Sequence, residues 1–199
     1  ESSDARTDAQ LKLLRSLSGY LLGQDDVGPK SRETWRRIEG RFPEVLEQFY
    51  SAVMSIPDLR AKIGDQSGRL KKAQLAHWRA LFNAEPNADL ARASLAIGDA
   101  HVKIGLESNW FLASYGQILI KTIPVVLNAH RGSPSRASEA MQLLIGRLFI
   151  DMIVANDAYA NGMQARKHQD AVAENNFQSL RNIADTVVEI NDVTLNVAM

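Results

Sequence analysis

Residues 97–116, "IGDAHVKIGLESNWFLASYG", set a histidine near the end of one helical pattern and a tryptophan at the start of the next. Upstream of this stretch, Leu90, Ser94, Ile97, His101 and Ile104 recur at alternating spacings of four and three, which places His101 on the inward face of an amphipathic helix. Asn87 and the acidic Asp89 mark that helix's start, and Gly105 marks its stop. Ser108 or Asn109 is the expected cap of the helix that follows. An isolated imidazole on an apolar face is either a core histidine bonded to a carbonyl or a ligand, and spacing alone leaves both readings open.

The rest of the chain carries the same period. "LKLLRSLSGYLL" (11–22) predicts an appended helix, which "GQDDVGPKS" (23–31) breaks. A helix is expected around Trp35, and a second, entered at Pro43, buries Val45, Leu46, Phe49, Tyr50 and Val53. Another covers about 68–83, with Leu70, Ala73, Gln74, His77 and Leu81 on one side. Two long helices follow, about 109–130 and 135–167, the second opened by Pro134. Period-two alternation between turn signals is missing, so the fold class is all-α. Near the end, Leu180, Ile183, Val187, Ile190, Thr194 and Val197 repeat at three and four and predict the start of a coiled-coil linker. The expected division is 1–170 for the globular domain and 171–199 for a linker leading toward an output domain.

Composition narrows the function. Of 199 residues, 23 are Lys or Arg and 23 are Asp or Glu, a balance that gives no basic field for nucleic acid. The chain has no cysteine, which removes disulfides, zinc–thiolate sites and iron–sulfur clusters and fits a cytoplasmic protein. No apolar run is read as approaching the roughly 20 residues of a membrane span, so no membrane contact is expected. Phosphate loops, H-E-x-x-H and nucleophile elbows are missing, and no two histidines stand at i, i+4. His130 and His168 lie in polar surroundings and are expected in solvent.

The block "IGDAHVKIGLESNWFLASYGQIL" resembles the globin domain of globin-coupled sensors, where a pattern close to I-x-x-x-H-x-R-I-G-L-x-x-x-W-Y precedes a long helix. Ile97, His101, Ile104, Gly105, Leu106 and Trp110 match it, and Lys103 stands in place of the arginine. A looser likeness runs from about Leu11 to Lys167. The resemblance implies a modified three-over-three globin sandwich with an extra N-terminal helix and a haem b cofactor. It implies that His101 is the proximal iron ligand and Tyr50 the distal donor to dioxygen, with CO or NO as other gas ligands. The pocket it implies is completed by Phe49, Leu70, Ala73, Gln74, Ile97, Ile104, Trp110, Phe111 and Tyr115. Gln74 and His77 are further polar neighbours to consider on the distal side.

Two positions depart from the family. Ala73 replaces a threonine seen in aerotaxis members, and Phe111 replaces a tyrosine able to bond the proximal imidazole. Any relay from the proximal histidine to the next helix must therefore travel by packing or through another group. Family members dimerise through their last two long helices, so Leu144, Leu148, Met152 and Ala155 are candidates for a homodimer interface. The implied function is a non-enzymatic oxygen-sensing domain of a cytoplasmic signal transducer, with a chemotaxis transducer or kinase as the favoured output. A haem enzyme turning over nitric oxide or peroxide, and a haem-free helical dimerisation module, are the alternatives.

Overall fold

The computed structural model describes residues 3–23 and 28–197, with the side chains of residues 3, 180 and 183–197 left out. Every element among the described residues is helical: α1 (Ser3–Leu22), α2 (Gly28–Ile38), a 3-10 turn (Glu39–Arg41), α3 (Phe42–Met54), α4 (Pro57–Ile63), α5 (Ser67–Asn83), α6 (Ala88–Lys103), α7 (Ser108–Ala129) and α8 (Pro134–Val197). The chain forms two compact units, 1–159 and 160–199. Within the second unit α8 simply continues, with Phe177 standing in solvent; the predicted seam of Leu180, Ile183, Val187, Ile190, Thr194 and Val197 lies outside the described side chains.

Local chemistry explains the boundaries. Pro43 and Pro57 sit in the first turns of α3 and α4, where a missing N–H costs nothing. Asn87 caps α6 by accepting from Leu90 N at 2.9 Å. The same helix ends where Gly105 takes φ +62°, a left-handed turn that a side chain resists. Because α6 stops at Lys103, Ile104 leaves the inward line predicted for it and is 43% exposed. The expected cap of α7 is also corrected: Glu107 holds the N-cap position without a side-chain bond, and Asn109 accepts from Trp110 N at 2.9 Å.

An aromatic cluster anchors one end of the first unit. Trp35 of α2 lies 5.1 Å from Phe42 and 5.5 Å from Phe82, and Trp78 lies 4.9 Å from Phe42. All four are buried, and each such side chain contributes about 1.5–3 kcal/mol through apolar burial. Ser31 ties α2 to the end of α5 by donating to the Phe82 carbonyl at 2.7 Å. The appended helix α1 packs along α6, held by Arg6 to Asp99 at 3.1 Å and by Gln10 to Asp157 of α8 at 2.6 Å.

A second centre is polar. Asp151 of α8 is 3% exposed and accepts from three helices: His77 Nε2 of α5 at 2.9 Å, the Ser94 hydroxyl of α6 at 3.3 Å and the Tyr115 hydroxyl of α7 at 3.1 Å. Burial opposes charge on His77, but the Asp151 carboxylate and its hydrogen bond outweigh this and raise the histidine above its ordinary value. Burial and the same carboxylate push Tyr115 well above 10.0. A buried carboxylate with three donors is satisfied, whereas any one donor left alone would cost about 1–3 kcal/mol.

Two further expectations are revised. His130 is buried at the C-cap of α7, with Nδ1 bonded to the Val126 carbonyl one turn back at 3.0 Å. Helix α7 is, by length and composition, long and apolar enough to cross a membrane. Its apolar residues point both ways: Phe111, Ile118 and Val126 inward, Leu112, Ile120 and Leu127 outward.

The His77–Asp151 pair makes stability depend on pH with a definite sign. A histidine raised in the folded state contributes fully below 6.5, the unfolded value, and loses that contribution as pH rises through the folded value. Urea unfolding of His77→Gln should therefore show its largest deficit against the parent chain below pH 6.5, shrinking as pH rises. A deficit independent of pH would contradict a charged His77.

Candidate functional site

His101 stands in the last turn of α6, where its side chain can reach back one turn. Nδ1–H donates to the Ile97 carbonyl at 2.7 Å, which fixes the tautomer and leaves Nε2 as the ring's acceptor. Burial lowers its pKa below the ordinary 6.5, only partly offset by that hydrogen bond, so the ring is neutral at pH 7. The imidazole meets Phe111 edge to face at 4.9 Å. Phe111 in turn belongs to an apolar cluster with Leu59, Leu106 and Ala155, against which Ile97, Trp110 and Tyr115 pack.

Helices α3 and α5 carry the other group. Phe49 and Tyr50 are buried side by side with ring centroids 5.0 Å apart, and Leu70 packs on the same core. Burial pushes the Tyr50 phenol up to about 12, so it is a hydrogen-bond donor throughout the physiological range. No residue among those described takes a hydrogen bond from that hydroxyl, while Lys71 Nζ lies 6.0 Å from the ring centre. Tyr115 differs: its hydroxyl is committed to Asp151, although its ring packs against both apolar clusters.

Of the predicted pocket residues, His101, Ile97, Trp110, Phe111 and Tyr115 thus form one group, and Phe49, Tyr50 and Leu70 another. Ala73 and Ile104 are exposed and join neither cluster. Gln74 is half-buried, with Oε1 buried and unbonded. His77, a loosely held candidate, has its Nε2 engaged by Asp151; burial opposes its charge, but the carboxylate and its hydrogen bond raise it above its ordinary value. Sequence reasoning missed Asp151 and Tyr159, and it placed Ser94 inward without a partner for its hydroxyl. The signal existed, since positions 144, 148, 151, 155 and 159 line one face of α8 and an acid interrupts an apolar stripe there.

These residues fit a haem. A neutral imidazole offers Nε2, Tyr50 offers an unspent hydroxyl, and Gln74 holds a buried oxygen that no protein donor meets. Helices α5 and α6, which carry Leu70 with Gln74 and His101 respectively, approach each other only along a short stretch. Two open clefts lie elsewhere, of about 560 Å³ beside Arg37, Arg131 and Arg136 and about 640 Å³ beside Arg32, Arg36 and Arg79. Neither cleft is lined by any of the predicted pocket residues.

No curated protein matches the chain. Among solved structures it is similar to the globin domain of the Geobacter sulfurreducens globin-coupled sensor, with a TM-score of 0.66 at 16% identity over 73% of this chain and 96% of that one. At that identity the likeness establishes the globin fold. The protoglobin family model matches residues 31–165, a span that contains α3 to α7 and both groups of site residues. The chain belongs to the protoglobin family.

Proposed function

We propose that the chain is the oxygen-sensing haem domain of a cytoplasmic signal transducer, with His101 as proximal ligand and Tyr50 as distal donor. Family membership supports haem binding and a diatomic gas as ligand. The observation that carries the finer reading is the His101–Ile97 bond, which presents a neutral, oriented Nε2 at the end of α6. Haem b, when bound, supplies the iron at which the gas is held. The chain's own residues do the rest: Phe49, Leu70 and the Phe111 cluster exclude water, and Tyr50 donates a hydrogen bond toward the gas ligand in a poorly solvated pocket. No group in this domain is assigned a catalytic role.

Dimerisation through α7 and α8 belongs to the same proposal, with a corrected surface. Leu144, Leu148 and Ala155 are buried within the first unit and Met152 is half-buried, so they serve the chain's own core. The outward residues are Leu112, Ile120 and Leu127 of α7 with Ile145 and Phe149 of α8, and Ile120 is 63% exposed. Such a set of large apolar side chains in water suits a self-complementary four-helix contact, which also accounts for the two-sided apolarity of α7. Residues 171–199 then form the linker toward the output domain, favoured as a chemotaxis transducer or kinase. Gas binding changes the output to the extent that two dimer arrangements differ in affinity for the gas.

Three outcomes test this reading. Tyr50→Phe should keep haem but release oxygen faster by about 10- to 100-fold, the loss of a hydrogen bond worth about 1.5–3 kcal/mol to a charged acceptor; unchanged release in stopped flow would remove Tyr50 from the site. His101→Gly should lose the proximal bond to iron and recover it when free imidazole is added, and a spectrum indifferent to both would remove His101. Ile120→Glu with Phe149→Glu should convert a dimer to a haem-loaded monomer in sedimentation velocity. A parent chain that sediments as a monomer would contradict the proposed interface.

A further inference from the structure

The proximal side of the site has no polar exit through His101 itself. Its Nδ1 is spent on Ile97, within its own helix, and Phe111 has no hydroxyl with which to reach the imidazole. Two other routes leave His101, and both end on one residue of α8. The first is made of rings: His101 meets Phe111 edge to face at 4.9 Å, and Phe111 stacks on Tyr159 at 5.3 Å with the planes 5° apart. The second is made of hydrogen bonds: Leu106 N donates to the His101 carbonyl at 3.1 Å, and the Tyr159 hydroxyl donates to the Leu106 carbonyl at 2.5 Å.

A third observation makes the junction stiff. A Cβ on Gly98 would lie 2.7 Å from Tyr159 N, 2.8 Å from the Ala155 carbonyl oxygen and 2.8 Å from Ala158 Cβ. The α6 and α8 backbones therefore touch one turn before His101, with only the rigid methyl of Ala158 beside the contact and no flexible side chain to absorb a displacement. Close-packed elements respond to a small push by moving as bodies and not by compressing. Tyr159 is 4% exposed and is the last residue of the first compact unit, while α8 itself runs on.

We propose that Tyr159 is a positioning residue that couples the His101 imidazole to α8, through its stack on Phe111 and its hydrogen bond to the Leu106 carbonyl. It takes the place of the direct tyrosine contact that Phe111 forgoes. The inference rests on His101 being the proximal ligand, and its failure is separable from the failure of that assignment.

The test is hydrogen–deuterium exchange of the full chain, haem-loaded and reduced, with and without carbon monoxide. The parent chain should show a gas-dependent change in exchange for α8 peptides around residues 152–163. Tyr159→Leu, which removes ring and hydroxyl, should lose that change while keeping the haem spectrum and the Tyr50-dependent release rate. Tyr159→Phe keeps the stack and should retain part of it, and Phe111→Leu should repeat the loss should Tyr159→Leu fold poorly. A haem spectrum with no gas-dependent change in α8, or one that persists in Tyr159→Leu and Phe111→Leu, overturns the coupling role alone. A parent chain with no haem spectrum overturns both the role and the assignment of His101 beneath it.

Discussion

The hydrogen bond from His101 Nδ1 to the Ile97 carbonyl is the constraint from which the rest of the site follows. One short bond inside one helix decides which nitrogen carries the proton, where the ring points and which lone pair is free. Burial keeps that lone pair unprotonated. Because the bond closes within α6, the ring's orientation is set by helix geometry and does not depend on any distant partner. Phe111 packs on the edge of the ring, and the core behind Phe111 reaches α8.

Asp151 answers a different need. A single carboxylate on α8 ties three other helices together by accepting from α5, α6 and α7. The arrangement also separates Tyr115 from Tyr50, the third interior tyrosine, Tyr159, being committed to the Leu106 carbonyl. Tyr115 is held by Asp151 and is structural, whereas Tyr50, raised to about 12 by burial and unbonded, is the one left to donate. α8 thus contacts the site twice, at Asp151 through charge and at Tyr159 through packing.

The all-helical fold, the Asn87 cap, the Gly105 stop and the inward placement of His101 were legible because each depends on residues within one or two turns. The proposed role of Tyr50 rests on resemblance; nothing in its spacing separates a pocket tyrosine from a packed one. What the sequence concealed is long-range. Asp151 acts through residues 36, 57 and 74 positions away, and Tyr159 through Leu106, 53 positions away. The outward residues of α7 were not legible for a different reason: a helix apolar on two faces shows no clear period, so Leu112, Ile120 and Leu127 do not announce themselves as outward.

The most direct measurement is the absorption spectrum of the haem-supplemented chain, reduced without oxygen and then exposed to it. A neutral imidazole on one side, with His77 tied to Asp151 on the other, predicts a five-coordinate ferrous spectrum that converts to a stable oxygenated one. The absence of a Soret band, or a six-coordinate ferrous spectrum before oxygen is admitted, would contradict the account.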